Sequence, residues 1–211
     1  MISIITRAVK IILTFFSPNL PKISESPWLS PGAITWLGRY LKADMTVFEY
    51  GSGGSTVYLA KRVKWVVSVE NSFSWYLAVM KSLKRNEIKN TEIHYIEPEK
   101  LTPKTRNFVS SDPKYRNISF RNYVMTIKEF PDRYFDLLFI DGRARNDCLL
   151  IGSSKVKYGG YILLDDSERT GYVRGKQGLN KFQKKIFRGT GPYLGKQITV
   201  WKVVKNENTN S

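Results

Sequence analysis

The sequence predicts an α/β fold, a doubly wound and mostly parallel sheet with helices on both faces. Two observations carry that expectation. Apolar runs of strand length alternate with amphipathic runs of helix length through most of the chain, the pattern of successive βαβ units. Several strand-like runs are almost continuously apolar and stop at an acidic residue, as central strands covered on both faces do. Ligands of such sheets sit at the carboxyl ends of the strands, so the residues that close each strand are the informative ones.

The opening segment, "MISIITRAVKIILTFFSPNLP", places Ile5, Val9, Ile12 and Phe16 on one helical face, but Ile2, Ile4, Ile11 and Phe15 make much of the remainder apolar too. Its apolar run is interrupted by Arg7 and Lys10 and is shorter than the ~20 residues of a spanning helix. No small-residue cleavage pattern follows it. Docking on the domain or on a partner is expected, with a membrane-surface helix over residues 1–17 as the alternative. Pro18, Pro21, Pro27 and Pro31 punctuate a connector, which sets residues 1–27 apart from a main domain over 28–204.

"SPGAITWLGRYL" then starts a helix, with Ser30 as N-cap and Pro31 at the first helical position. "MTVFEYG" reads as a strand, "STVYLAKRV" as a helix, "KWVVSVE" as a strand, "FSWYLAVMKSLKRN" as a helix and "TEIHYIE" as a third strand. An insert over residues 98–133 follows, longer than connections in such units usually are. Its first twenty residues, rich in Lys, Arg and Pro, read as a lid, a substrate loop or plain disorder. Its second part, "ISFRNYVMTIKEF", could bury Ile118, Phe120, Tyr123, Val124 and Ile127 on a short helix. "YFDLLFIDG" and "GGYILLDD" are the next strands, joined through a helix in "RARNDCLLIGSSKV". After a helical "GLNKFQKKIF", the segment "GTGPYLGKQITVWKV" reads as a turn and a strand, which predicts a partly antiparallel terminal hairpin before a polar tail over 205–211.

Composition narrows the setting. The single cysteine, Cys148, excludes an internal disulfide and fits a reducing, cytoplasmic environment. Thirty-four Lys and Arg against eighteen Asp and Glu give a formal charge of +16, which attracts polyanions such as nucleic acid, anionic lipid or acidic glycan. The basic residues form no block of five or six consecutive like charges, so they read first as a broadly solvated face.

The glycine-rich stretch "VFEYGSGGST" carries the chemistry. A dinucleotide fingerprint would need a third spaced glycine where Thr56 stands, and a phosphate-binding P-loop would need its lysine earlier than Lys61. What remains is Glu49 two positions before the Gly51-Ser52-Gly53 turn, with Glu70 closing the next strand. Gly51 and Gly53 lack a Cβ and let the backbone approach a ligand, and the helix starting near Ser55 offers free N–H groups. Glu70 can accept two hydrogen bonds from ribose hydroxyls, and Glu49 can offset an ammonium or sulfonium charge.

Glu49 to Thr56, "VVSVEN", "LLFIDGRAR" and "GGYILLDDSER" resemble the successive signature segments of class I S-adenosylmethionine-dependent methyltransferases, over about Trp28 to Val204. Within that superfamily, "DGRAR" and "DDSER" are similar to the strand ends of a bacterial group of small methyltransferase-like proteins. The resemblance implies a Rossmann-like, seven-stranded sheet of order 3-2-1-4-5-7-6 with an antiparallel last strand. It implies methyl transfer to O or N of an unidentified small-molecule, lipid or saccharide acceptor. On the same ground Gly51, Ser52 and Gly53 line the methionine portion, Glu70 holds the ribose, Asn71 lies near the adenine, and Glu49 reaches the amino group directly or through water.

Asp141, closing the fourth strand, is the candidate beside the transferred methyl group, with capping of the following helix as its structural alternative. Asp165 and Asp166 close the fifth strand and could join it, in catalysis or around a Mg²⁺-type ion. Metal-dependent catechol-type O-methyltransferases place Asp, then Asp-Asn, at similar strand ends; here Asp166 or Ser167 takes the Asn position. Pairing of Asp165 or Asp166 with Arg143, Arg145 or Arg169 is the alternative. His94 lies inside a strand, where a core or surface role outweighs catalysis. Of Trp28, Trp36, Trp75, Tyr76 and Tyr123, one is expected to touch ligand. The rival reading is a nucleic-acid- or anionic-membrane-binding protein that keeps the methyltransferase-like scaffold without catalysis.

Overall fold

The computed structural model describes residues 20–205. The expected helix within residues 1–17 and all but the first residue of the polar tail lie outside them. Helix α1, Pro31–Tyr40, begins at the anticipated Ser30 cap, although the Ser30 hydroxyl makes no capping bond. Then come β1 (Thr46–Tyr50), α2 (Gly54–Ala60), β2 (Trp65–Glu70), α3 (Phe73–Arg85) and β3 (Thr91–Tyr95), close to the segments read from the sequence.

The insert is folded over its own length. Two-residue strands β4 (Glu99–Lys100) and β5 (Ile118–Ser119) pair antiparallel and close the loop between them. Phe108 and Tyr115 of that loop pack against the core, and the Phe120 N–H donates to the Phe108 carbonyl at 2.7 Å. Helix α4, Arg121–Met125, and the 3₁₀ turn after it bury Tyr123, Val124 and Ile127, with Phe120 buried just before them.

Strand β6 (Phe135–Ile140), helix α5 (Arg145–Gly152) and strand β7 (Val156–Leu164) complete the parallel part. Helix α6 (Val173–Gln177), β8 (Gln183–Arg188) and β9 (Gln197–Lys202) follow. The main sheet runs β3-β2-β1-β6-β7-β9-β8, which is 3-2-1-4-5-7-6 when only its own strands are counted. Strand β9 is antiparallel to both neighbours, as anticipated.

One expectation is corrected here. "GLNKFQKKIF" is not a helix: its second half is edge strand β8, paired with β9 from Gln183↔Lys202 to Arg188↔Gln197. An edge strand with little to cover carries no apolar alternation, and exposed lysines on it discourage pairing with another sheet.

The central strands explain their own composition. Phe48 and Tyr50 of β1, Leu138 and Ile140 of β6, and Ile162 and Leu164 of β7 face one core with α4 and α5. Val47, Leu137, Phe139 and Leu163 face the other, against α1 and α2. With both faces covered, neighbouring residues all require apolar side chains. Cys148 of α5 is fully buried in the first core and donates to the Arg143 carbonyl at 3.3 Å.

Candidate functional site

The carboxyl ends of β1, β2 and β6 meet at the glycine turn. Gly51 N–H donates to the Val69 carbonyl at 2.9 Å, and Asp141 N–H to the Tyr50 carbonyl at 3.0 Å. Gly51 has φ +92°, and a Cβ there would stand 2.8 Å from Gly142 Cα, so glycine is required on both counts. Helix α2 starts beyond the turn, where the Gly53 N–H donates to Thr56 Oγ1 at 2.9 Å. The connector lies across this start: a Cβ on Gly54 would come 2.5 Å from the Ser26 carbonyl oxygen and 2.7 Å from that of Ser24. A cleft of about 390 Å³ opens above the turn. Lys22, Ile23, Ser24 and Ser26 of the connector with Trp28, Gly51 to Ser55, Glu70 to Ser72 with Trp75, and Asp141 to Arg143 form its sides.

Glu70 stands on the cleft wall with only 5% exposure. Its Oε2 accepts from the Ser52 N–H (3.0 Å) and hydroxyl (3.1 Å), and its Oε1 from the N–H groups of Asn71 (2.9 Å) and Ser72 (2.8 Å). Burial pushes its pKa up, and these donors oppose the shift. A carboxylate has about four acceptor positions, so a diol arriving here must displace a donor, and the Ser52 hydroxyl can rotate away.

Glu49 lies behind the turn and not on the cleft wall. Both the Thr56 and Ser68 hydroxyls donate to its Oε2 at 2.5 Å, and through Thr56 it braces Gly53. Among the described residues its Oε1 has no hydrogen-bond partner, and the Ser55 hydroxyl is a further polar neighbour of the carboxyl. Complete burial pushes this carboxyl up to about 7 against those hydroxyls, with the Asp141 charge adding to the rise.

The acidic residues closing β6 and β7 converge on an arginine. Arg145, only 7% exposed, reaches Asp141 Oδ1 at 2.9 Å, Asp165 Oδ2 at 3.5 Å and Asp166 Oδ2 at 3.6 Å. It also donates to the Asp165, Gly142 and Asp141 carbonyls. Burial opposes its charge, but Asp141, Tyr172, Asp165 and Asp166 outweigh burial and hold the guanidinium ionised. Arg169 and Lys196 complete the neutralisation of Asp166. Asp165 is pushed up to about 8, by burial first and by the Asp141 charge next.

This corrects the expected Mg²⁺-type site at Asp141, Asp165 and Asp166. The guanidinium takes the central position that a metal would need, and among the described residues no group of three or more His, Cys, Asp or Glu has the geometry to hold an ion. Only Asp141 of the three lines the cleft; Asp165 and Asp166 are buried away from its wall. The pairing alternative is what the structure contains, through Arg145 and Arg169, whereas Arg143 turns to Asp112.

Two of the five candidate aromatics, Trp28 and Trp75, line the cleft. Trp75 donates its indole N–H to the Ser52 carbonyl at 2.5 Å, and Trp28 meets it edge-on at 6.1 Å. Trp36 packs on Tyr40, Tyr161 and Phe187, Tyr76 on Phe73 and Tyr95, and Tyr123 lies in the core. His94 stays on β3 beside Glu92 at 3.0 Å. Tyr115, Lys114 and Lys22 also line the cleft, and nothing in the sequence singles them out. They sit in the insert and the connector, where no periodicity marks an inward-facing position.

The sheet order, the glycine turn after β1 and the acidic end of β2 together define the class I methyltransferase fold. No family model and no curated protein matches the sequence. Solved structures match over most of their length. A Streptococcus thermophilus rRNA methylase aligns with a TM-score of 0.60 at 13% identity, over 85% of this chain and 100% of its own. A methyltransferase-like protein from Silicibacter pomeroyi gives 0.58 at 23% identity, over 89% and 93%. A candidate methyltransferase from Streptococcus mutans, in complex with SAH, gives 0.58 at 11% identity, over 83% and 98%.

Proposed function

We propose that the protein is an S-adenosylmethionine-dependent methyltransferase acting on oxygen or nitrogen of a small molecule, lipid head group or saccharide. The observation that carries this reading is the cleft itself: a Cβ-free turn at Gly51 faces Glu70 across adjoining strand ends, with Trp75 and Trp28 beside them. The residues fit the cofactor. Gly51 to Gly53 and Ser55 would lie along its amino-acid portion, Glu70 would take the ribose hydroxyls, and Asn71 and the tryptophans would border the base. The Oε1 of Glu49, without a hydrogen-bond partner among the described residues, offers an acceptor close behind the turn. The complex with SAH seen in the Streptococcus mutans structure supports the same ligand class.

When bound, the sulfonium supplies an electrophilic methyl group. What the chain adds is position: Asp141 stands at the cleft with 29% of its side chain exposed, and Arg145 fixes its orientation at 2.9 Å. Holding a nucleophile in line with a methyl group accounts for much of the acceleration such a displacement needs, and a carboxylate nearby can take a proton from the acceptor.

Calorimetry with S-adenosylmethionine tests the reading. Wild type should bind, and Glu70→Ala should bind at least about tenfold more weakly, because charge-assisted hydrogen bonds to the ribose are lost. Absence of binding by wild type, with tight salt-sensitive binding to RNA, DNA or anionic vesicles instead, would favour the rival reading.

A further inference from the structure

One wall of the cleft is cationic in a way that the cofactor reading leaves unused. Lys114 and Tyr115 come from the insert, and Arg143 follows Asp141 and Gly142 at the end of β6. The Arg143 guanidinium lies 4.9 Å and the Lys114 ammonium 5.1 Å from the centre of the Tyr115 ring, so the three form one cluster. Both cations share a single carboxylate oxygen, Asp112 Oδ2, at 3.7 and 3.6 Å. The other oxygen of Asp112 accepts the Lys114 backbone N–H at 3.2 Å. Among the described residues, neither cationic side chain has an acceptor within hydrogen-bond distance. One carboxylate against two cations leaves net positive charge on the cleft that Asp141 also lines.

We propose that Arg143 and Lys114, backed by Tyr115, bind an anionic group of the methyl acceptor, a carboxylate or a phosphate. This rests on the methyltransferase reading. A planar guanidinium with no acceptor within hydrogen-bond distance among the described residues can match a carboxylate or phosphate in two parallel hydrogen bonds, and the flexible ammonium adds a point charge. The position follows from the chain: Arg143 is two residues from Asp141, so an anion held there keeps the rest of the acceptor beside that carboxylate. Asp112 would yield its loose pairing, at 3.6 and 3.7 Å, to a closer partner.

The test uses three probes that share a ring and differ in charge: phenyl phosphate, benzoate and benzyl alcohol. Each is titrated into the full-length protein saturated with SAH, at about 0.15 M salt so that distant surface charge is screened. At least one of the two anions should bind at least about tenfold more tightly than benzyl alcohol, and comparing them distinguishes phosphate from carboxylate. Lys114→Ala/Arg143→Ala should abolish that preference. Lys184→Ala/Lys185→Ala, which removes the same charge from edge strand β8, should keep it. Equal binding of all three probes, no binding of either anion, or equal losses in both double variants would overturn the proposal. So would loss of SAH binding in Lys114→Ala/Arg143→Ala, which would assign the cations to the cofactor. Failure of wild type to bind SAH would instead remove the methyltransferase reading beneath it.

Discussion

At the scale of single residues, the buried carboxyls decide how the protein responds to pH. Asp165 and Glu49 hold their protons more tightly in the folded chain than in the unfolded one, with pKa values near 8 and near 7. Their contribution to stability is therefore complete below the ordinary carboxylate range and is lost as pH rises through about 7 for Glu49 and about 8 for Asp165. Thermal unfolding should show Tm falling by several degrees between about pH 6 and about pH 9, and Asp165→Asn should flatten that fall. An identical slope in the variant would mean that Asp165 does not titrate there. Arg145 is the opposite case, a charge held in place by its surroundings. Arg145→Met leaves Asp141, Asp165 and Asp166 facing one another and should cost about 3 to 5 kcal/mol in urea unfolding at neutral pH.

Elements show which structural information is local. The ends of β6 and β7 are legible in the sequence because a strand buried on both faces leaves an apolar run and the acidic residue after it marks the rim, whereas β1 and β2 are legible from the glycine turn after Tyr50 and from the closing Glu70. Strand β8 is not, since "QKKIFR" has one covered edge and almost no covered face. The Glu49 position shows a different limit: its spacing from the turn is readable, but whether it faces the ligand or the Thr56 and Ser68 hydroxyls depends on strand packing. The arginine among the three aspartates illustrates the same point, because the course of the short loop from Asp141 to Arg145 decides whether those carboxylates meet a metal or a guanidinium. The turn itself is open to test. Gly51→Ala forces a side chain into φ +92° and against Gly142. It should cost about 1 to 3 kcal/mol of strain and weaken SAH binding more than it lowers stability, read by calorimetry beside chemical unfolding.

The molecule as a whole carries a formal charge of +16, and that charge and the cleft should separate under salt. Association with RNA or anionic vesicles through the general surface should weaken steeply as salt rises from about 0.05 to about 0.3 M, whereas cofactor affinity should change little. Parallel slopes would place the polyanion in the cleft. The buried Cys148 offers a further use. It is the chain's one thiol, and burial beside Tyr50 and Tyr123 raises its pKa well above the ordinary value, so a thiol reagent must wait for the fold to open. Any compound that favours the closed form slows that reaction in proportion to its occupancy. The native sequence thus contains a built-in reporter: the slowing of the thiol's reaction can rank candidate ligands that have no chromophore.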